Sequence, residues 1–372
     1  MISSPPANDC STPVPWETWR SALVPAMEHA LEHTLRETCP ETLSGPLLEE
    51  LKAFIRRPGK RVRPLLLLHS YQVFSGREPD ADTFRIAAAL ELLHIFILAH
   101  DDVIDSSDTR SGLPTLHRMV ESRLGIHHGK ERAAKSLAIV LGDVLFAAAQ
   151  RAVLHSSFPA ETRLRALDSL LVTMSDTGLG ECDDILFGVW DIGRISSSNV
   201  EQMYWLKTSR YTIESPLALG AILAGCGDDV VRDLRELSRP LGLAFQIRND
   251  LKAFREFEIS DAVAPDDFLE AKKTMLVTTA YELLGETDRR LLQLCLGRHP
   301  VTDTALSMMK ELVVKSGAVS ALESKLNQLR ESGSAMIDAL AWPDEQRHGL
   351  CLAMQCLGAV LDCRPVSTGA AT

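Results

Sequence analysis

Three aspartates lie at the end of the segment whose residue types most clearly indicate a chemical function. Asp101, Asp102 and Asp105 follow an apolar run in which hydrophobic residues have helical spacing. Asp101 and Asp105 are four residues apart, so a helix would place both carboxylates on one face, about one turn from each other. Negative charge at a helix C-terminus opposes the helix dipole, and a hard divalent cation is the usual partner of clustered carboxylates. The spacing therefore predicts a metal site at this helix end.

An arginine shortly after the aspartates indicates what such metal ions would hold. Arg110 comes five residues after Asp105. Its planar guanidinium can donate two parallel hydrogen bonds to a phosphate group. An acidic cluster followed by an arginine therefore favours a diphosphate site. The acidic pairs at residues 183–184 and 228–229 are interpreted instead as helix starts or solvated loops.

The composition indicates a globular protein with an acidic surface. The chain has 372 residues, of which 45% are hydrophobic, and a net charge of −11. This charge argues against a nucleic-acid partner bound by general electrostatic attraction. The eight cysteines include no CxxC pair, and several lie in apolar helical patterns. We expect free thiols in a reducing compartment, and hence a cytoplasmic protein.

Helices are the elements that would position these residues. Strict alternation of apolar and polar residues is almost absent, whereas apolar residues recur at spacings of three and four along most of the chain. The predicted helices span residues 16–38, 47–55, 64–74, 82–105, 133–154, 161–177, 200–224, 229–252, 273–284, 302–316 and 318–332. The pattern predicts a single all-α domain of ten or more helices over residues 16–363.

The ends of the chain and its most apolar segment bear on membrane attachment. Residues 1–15 are rich in proline and serine, and residues 364–372 are similar, so we expect a disordered lead-in and a flexible tail. The most apolar segment, 86–99, is interrupted by Glu91 and His94 and is short for a bilayer span. We therefore expect no transmembrane segment.

Seven short motifs follow one another along the chain. They are GKRVRP (59–64), ELLH (91–94), DDVID (101–105), GDVLF (142–146), KT (207–208), FQIRND (245–250) and DDFLEAKKT (266–274). In kind and order they resemble the motifs of the trans-isoprenyl diphosphate synthases, the family that makes geranyl, farnesyl and geranylgeranyl diphosphates. The resemblance implies an isoprenoid-synthase-like helical bundle around a central cavity, and a homodimer.

The resemblance also implies a reaction and its metal ions. A family member ionises an allylic prenyl diphosphate and condenses it with isopentenyl diphosphate, while three Mg²⁺ ions stabilise the departing diphosphate. Matched by position, the metal ligands would be Asp101, Asp102, Asp105, Asn249 and Asp250. Catalysis would rest on Asp101, Asp105, Lys207, Thr208 and Gln246, with the Thr208 hydroxyl and the Gln246 amide oxygen near the allylic cation.

The same resemblance assigns residues to the two substrates. Arg110, Lys207 and Lys272 would bind the allylic diphosphate. Lys60, Arg63 and His94 would bind isopentenyl diphosphate. Phe96 lies five residues before Asp101, where a bulky side chain blocks the growing product in this family. We therefore expect products of C15 to C20.

Three departures from the family pattern leave the outcome of the reaction open. Asn249 stands where the second aspartate-rich motif has an aspartate, so the third Mg²⁺ should bind more weakly. Ser111 replaces an arginine that contacts isopentenyl diphosphate, and residues 260–262 lack a lysine of the family's loop.

Two alternatives to a synthase follow from these losses. The first is a terpene cyclase or another non-elongating enzyme, because Asn249 and Asp250 begin like an NDxxSxxxE motif, although Ala253 and Phe257 break it. The second is a non-catalytic subunit of a synthase, which the intact first motif and Lys207 argue against. The retained Lys60, Arg63 and His94 favour a synthase that elongates prenyl diphosphates.

Overall fold

The computed structural model describes residues 16–38, 45–125, 129–259, 266–296 and 301–355. Over these residues the chain is helical apart from one small hairpin, so the prediction of an all-α fold is confirmed. The helices are α1 Trp16–Thr38, α2 Gly45–Ile55, α3 Val62–Ser75, α4 Ala81–Ile104, α5 Leu116–Arg123, α6 Lys130–Leu154, α7 Ala160–Val189, α8 Ser197–Tyr204, α9 Ser215–Leu223, α10 Asp228–Ile259, α11 Asp266–Leu269, α12 Met275–Leu283, α13 Glu286–Leu296, α14 Asp303–Ser316, α15 Ala318–Ala339 and α16 Asp344–Gln355. The hairpin pairs β1 Thr109–Arg110 with β2 Leu113–Pro114.

The described residues form two compact units. The first comprises residues up to Asp168 together with Leu219–Cys226, and the second comprises Ser169–Ala218 and the residues from Gly227 onward. The domain limits of 16–363 stay a prediction. The lead-in over 1–15, the tail over 364–372 and the loop over 260–262 lie outside the described residues.

Helix α4 forms the core of the first unit. Its N-cap is Asp80, whose side chain accepts a hydrogen bond from the backbone N–H of Thr83. Residues 86–93 are buried on every face, because α1, α3 and α6 all pack against α4. A helix that is apolar all round is stable only when it is enclosed in this way. The last turn of the helix, which carries the three aspartates, lies at the edge of the core.

Two helices of this unit, α4 and α6, are long and apolar enough to cross a membrane by length and composition. Of their most apolar windows, 61% and 44% of the residues are buried inside the protein. The two helices pack directly against each other. This burial is the property of a core helix, so the two helices do not establish a transmembrane segment.

The second unit is built around α10, which packs against α15 and a π-helical segment, Trp205–Glu214. The sequence predicts one continuous helix over 200–224, and the wider π-helical geometry of its middle is not visible in that pattern. Two glycines permit close packing of this segment. A Cβ on Gly180 would lie 2.3 Å from the backbone nitrogen of Lys207, and one on Gly242 would lie 2.3 Å from the Cβ of Ser209. Such π-helical insertions occur frequently at functional sites.

Candidate active site

The first aspartate-rich motif is held by an arginine at the end of α4. Arg110 donates from Nη2 to the Asp101 carboxylate at 2.6 Å and from Nε to the Asp102 carboxylate at 2.7 Å. Asp102 is fully buried, whereas Asp101 and Asp105 are half-buried. The backbone N–H of Asp105 donates to the Asp101 carbonyl at 2.8 Å, which keeps the two residues one helical turn apart. The structure thus places the predicted acidic residues and Arg110 together.

Charge and burial have opposite effects on the pKa values of Asp102 and Arg110. Burial raises the pKa of Asp102, while the positive charge of Arg110 opposes the rise. Burial alone would lower the pKa of Arg110, but the Asp102 and Asp101 carboxylates outweigh it and raise that pKa. The guanidinium therefore stays charged. One oxygen of Asp102, Oδ2, is buried without a hydrogen-bond partner, so Asp102 has an acceptor left over inside the unit.

The β1–β2 hairpin carries Arg110 back to the end of α4. Its two loop residues, Ser111 and Gly112, have φ values of 53° and 76°. Positive φ at both loop positions is the geometry of a type I′ turn, in which glycine or asparagine is favoured. Ser111 therefore adopts a backbone conformation that serine rarely takes. The side chain at this position is exposed.

A buried ion pair fixes the turn that precedes α3. Arg61 has a φ of 49°, donates to the Glu91 carboxylate of α4 at 2.6 Å, and is as buried as its partner. The same guanidinium donates to the carbonyls of Ile55 and Arg57. This anchor leaves Lys60 exposed and Arg63 half-buried on either side of it. The motifs assign no role to Arg61, although a glutamate inside an apolar helix indicates a positively charged partner.

His94 lies among the basic residues of this unit. Burial, followed by the charges of Arg63, Arg110 and Arg61, lowers the pKa of His94 well below its usual range. The imidazole is therefore neutral at neutral pH. Two of these guanidinium groups are paired with carboxylates, Arg61 with Glu91 and Arg110 with Asp101 and Asp102. The structure thus brings Arg63 and Arg110 close enough for their charges to act on the His94 imidazole.

Phe96 belongs to an aromatic cluster on α4 and α6. Its ring centroid lies 4.6 Å from that of His100 and 5.2 Å from that of Phe146. Gly142 permits this arrangement, since a Cβ there would lie 2.5 Å from the His100 ring. Phe96 itself is half-buried. It stands one helical turn and a half before the acidic motif, with two aromatic neighbours that restrict its movement.

A cavity of about 160 Å³ in the second unit collects four of the predicted residues. It is lined by Asp184, Met203, Tyr204, Lys207, Thr208, Gln246, Asp267, Lys272, Lys273 and Thr274. The π-helical segment supplies Lys207 and Thr208, α10 supplies Gln246, and the segment between α11 and α12 supplies Lys272. The predicted grouping of these residues is therefore present in the fold of this unit.

Carboxylates form ion pairs with two lysines of the cavity. Lys207 lies 2.6 Å from a carboxylate oxygen of Asp184 and 2.8 Å from one of Glu181, both on α7. Lys272 lies 3.0 Å from Glu270. The interpretation of residues 183–184 as a helix start or solvated loop is wrong for Asp184, which lies within α7 and pairs with Lys207. The pattern of acidic residues could not identify this partner, because Lys207 is distant in sequence.

A third lysine of the cavity, Lys273, was not predicted as a site residue. Lys273 is buried and donates from Nζ to the Gly188 carbonyl at 2.8 Å. Burial lowers its pKa, and the carboxylates of Asp191 and Asp184 oppose that effect. Its position next to Lys272 in the DDFLEAKKT motif could have indicated that it lines the same cavity.

The second aspartate-rich motif has a different environment. Asn249 is exposed, while Asp250 is buried and accepts a hydrogen bond from the Tyr204 hydroxyl at 2.7 Å. Burial, together with the charge of Asp267, raises the pKa of Asp250 well above its usual range. Neither Asn249 nor Asp250 lines the cavity. Their assignment as metal ligands stays a prediction.

Within the described ranges, no three histidine, cysteine, aspartate or glutamate side chains are arranged to hold a metal ion. Mg²⁺ is usually bound through one or two carboxylates together with substrate phosphates, and it keeps several waters. The half-buried carboxylates of Asp101 and Asp105 meet that requirement. A complete protein cage is therefore not needed for the predicted ion.

Known proteins resemble this chain over most of its length. Residues 45–313 match the family model of the polyprenyl synthetases. The chain belongs to this family. It is 32% identical over 288 residues to the geranylfarnesyl diphosphate synthase of Aeropyrum pernix, covering 76% of this chain and 83% of that one. It is 32% identical over 264 residues to the geranylgeranyl diphosphate synthase of Sulfolobus acidocaldarius, covering 69% of this chain and 73% of that one.

Solved structures agree with the family membership. The geranylgeranyl pyrophosphate synthase of Corynebacterium glutamicum, complexed with isoprenyl diphosphate and magnesium, superposes with a TM-score of 0.80 at 27% identity. The match covers 93% of this chain and 99% of that one. The predicted family and the predicted enzyme class, a prenyltransferase of isoprenoid biosynthesis, are confirmed. The family is Mg²⁺-dependent.

Proposed function

We propose that this prenyltransferase condenses an allylic prenyl diphosphate with isopentenyl diphosphate and releases a longer prenyl diphosphate. One observation favours an enzyme that elongates prenyl diphosphates over one that only ionises them. Burial is the largest cause of the lowered pKa of His94 and the charge of Arg63 is the next, so Arg63 lies beside that imidazole, with Lys60 exposed on the same turn. An enzyme that only ionises or cyclises one prenyl diphosphate has no use for a second anion site. Lys60, Arg63 and His94 therefore bind isopentenyl diphosphate.

Asp101 and Asp105 hold Mg²⁺ in this proposal. Their half-buried carboxylates lie one helical turn apart and offer hard oxygen ligands, which fits the ion. Asp102, buried against Arg110, supports the arrangement from inside the unit. Bound Mg²⁺ supplies positive charge that stabilises the departing diphosphate. The donor set at the second motif fits an ion less well, because Asn249 has no charge and Asp250 is buried.

The cavity of the second unit holds the allylic substrate. Lys207 and Lys272 supply positive charge to its diphosphate. Glu181 and Asp184 keep the Lys207 ammonium in place against the cavity wall. The Thr208 hydroxyl and the Gln246 amide oxygen offer electron-rich oxygens to the allylic cation, which stabilises charge as it develops.

Assembly and location also belong to this proposal. A homodimer is supported by exposed apolar side chains along α7, among them Leu179, Leu186 and Val189, since exposed apolar patches are typical of association surfaces. The free thiol at Cys182 is consistent with a reducing, cytoplasmic environment.

A product assay tests the proposed function. The purified chain is incubated with Mg²⁺ and dimethylallyl, geranyl, farnesyl or geranylgeranyl diphosphate, each with and without isopentenyl diphosphate. Mass spectrometry before and after phosphatase treatment identifies the products. We expect a longer prenyl diphosphate that forms only with isopentenyl diphosphate. A hydrocarbon or alcohol formed without isopentenyl diphosphate would contradict the proposal and indicate a cyclase, and no turnover would indicate a non-catalytic subunit.

Phe96 limits the product to C15–C20 in this proposal. Its ring, restrained by His100 and Phe146, is large enough to stop a growing chain. We expect Phe96→Ala to shift the products to longer chains by at least one isoprene unit. Phe84→Ala, on the same helix but about three turns earlier, is the matched control and should leave the product length unchanged. Equal product lengths for the wild type and Phe96→Ala would show that Phe96 does not set the limit.

A further inference from the structure

A hydrogen-bonded network connects three elements of the second unit. The backbone N–H of Met275 donates to the Tyr204 hydroxyl oxygen at 3.0 Å, and that hydroxyl donates to Oδ2 of Asp250 at 2.7 Å. The Gln246 amide donates from Nε2 to Oδ1 of the same carboxyl group at 3.4 Å. The network therefore runs from the start of α12, through the end of α8, to the middle of α10.

Both carboxyl oxygens of Asp250 are used inside the protein. The side chain is buried, with 5% of the residue exposed, and its two oxygens accept hydrogen bonds from Tyr204 and Gln246. A metal ion would have to displace these neutral donors from a buried carboxyl group, and a buried donor left without a partner is costly. Asn249, the preceding residue, is exposed and has no charge of its own. The second motif is therefore built for internal hydrogen bonding.

The network also decides which end of the Gln246 amide faces the cavity. A glutamine amide has an NH₂ donor at one end and a carbonyl acceptor at the other. Because the NH₂ group donates to Asp250, the carbonyl oxygen is left for the cavity that Gln246 lines. An electron-rich oxygen is the end that favours a neighbouring cation, whereas the NH₂ group would oppose it.

The same network anchors the segment that carries the cavity lysines. Met275 directly follows Lys272, Lys273 and Thr274, all of which line the cavity. The hydrogen bond from the Met275 N–H to Tyr204 fixes the start of α12. The Thr274 side chain caps that helix by accepting from the Val277 N–H. The position of Lys272 therefore depends on Tyr204.

We propose that Tyr204 and Asp250 are positioning residues, which turn the Gln246 amide oxygen toward the cavity and fix the segment that carries Lys272, and that Asp250 does not bind Mg²⁺. This inference rests on the proposed function, because it concerns the same cavity. It gives Tyr204 a role that no sequence motif indicated, and it replaces the predicted metal-ligand role of Asp250.

Steady-state kinetics of the full chain test the inference, with Mg²⁺ varied at saturating substrates. The variants are Tyr204→Phe, Asp250→Asn and Asp101→Asn, and Tyr71→Phe, which alters a buried tyrosine of the first unit, is the control. We expect Tyr204→Phe to lower kcat roughly tenfold or more, because the substitution removes both hydrogen bonds of the buried hydroxyl. Asp250→Asn should also lower kcat, because an asparagine NH₂ turned toward Gln246 would draw the Gln246 oxygen away from the cavity.

The Mg²⁺ dependence separates positioning from metal binding. For Tyr204→Phe and Asp250→Asn, we expect the Mg²⁺ concentration at half-maximal rate to stay within about twofold of wild type, whereas Asp101→Asn should raise it severalfold. In a Gln246→Ala background, Tyr204→Phe should reduce kcat by much less than it does in the wild type, since the two residues act together.

Several outcomes would overturn the inference. A rise in the Mg²⁺ requirement of Asp250→Asn equal to that of Asp101→Asn would make Asp250 a metal ligand. A kcat of Tyr204→Phe equal to that of Tyr71→Phe would remove the role of Tyr204. If Tyr204→Phe is unfolded at the assay temperature, the rates and Mg²⁺ dependence of Asp250→Asn decide. Absence of turnover by the wild type would instead remove the proposed function itself, and the inference with it.

Discussion

The two aspartate-rich motifs lie in different surroundings, although each is carried by a long helix. At the end of α4, Asp101 and Asp102 share the guanidinium of Arg110. On α10, Asp250 is surrounded by the neutral donors of Tyr204 and Gln246. The positive charge of Arg110 opposes the effect of burial on the pKa of Asp102, whereas burial and the negative charge of Asp267 together raise the pKa of Asp250 well above its usual range. The motif alone therefore does not decide whether an aspartate can bind a cation, because the neighbouring side chains decide it.

The largest expected effect comes from a substitution in the first aspartate-rich motif. Asp101→Ala removes a half-buried carboxylate that we assign to Mg²⁺, so kcat/KM should fall by roughly 10³-fold or more. Mg²⁺-dependent binding of a prenyl diphosphate, measured by titration calorimetry, should be lost in parallel. Asp168→Ala, at an exposed position of α7, is the control. Unchanged binding in Asp101→Ala would remove the first motif from the site.

A second prediction concerns the pH dependence of stability in the first unit. Because the pKa of His94 is lowered below 6.5 in the folded state, the unfolded chain binds a proton at a higher pH than the folded chain does. The free energy of unfolding should therefore decrease as the pH falls below about 6.5, by up to about 1.4 kcal/mol per pH unit from this residue.

Urea denaturation between pH 7.5 and 5.5 measures this effect. His94→Gln should show a weaker loss of stability toward acid than the wild type, and His155→Gln, at an exposed position, should behave like the wild type. An identical pH slope for His94→Gln and the wild type would show that His94 is not held in its neutral form.

The smallest expected effect comes from a substitution in the second aspartate-rich motif. Asn249→Asp adds a negative charge at an exposed position of α10, and the attraction of a nearby cation in water is about 1 kcal/mol, or roughly fivefold in affinity. The Mg²⁺ concentration at half-maximal rate should fall by no more than that factor. Asn327→Asp, on the exposed surface of α15, controls for the change in net charge. A much larger fall would mean that position 249 contacts a bound ion directly.

The fold could be predicted from the sequence because helical periodicity records which face of a helix is buried. The strongly periodic segments are helical in the structure, and the start of α10 at Asp228 follows the acidic signal there. Helices α5, α11, α13 and α16 were not predicted. In α16, Trp342 and Pro343 precede a short, mostly polar segment, so the periodic signal is weak.

The parts of the site that could not be predicted depend on contacts between residues distant in sequence. The motifs indicated Lys207, Thr208, Gln246 and Lys272, and all four line one cavity. Tyr204 carries no motif, and its contact with Asp250 exists only because α8 and α10 pack together. The pairing of Lys207 with Glu181 and Asp184 has the same origin. Sequence patterns specify the reactive groups more readily than the residues that hold them.

The ion pair between Arg61 and Glu91 has a consequence for how this chain can change during evolution. Both side chains are about 95% buried, so the loss of either one would leave an uncompensated charge inside the first unit and destabilise it by about 3–5 kcal/mol. Replacement of both by apolar residues of similar volume would avoid that penalty. We therefore expect positions 61 and 91 to covary among related chains, with substitutions that occur at both positions or at neither.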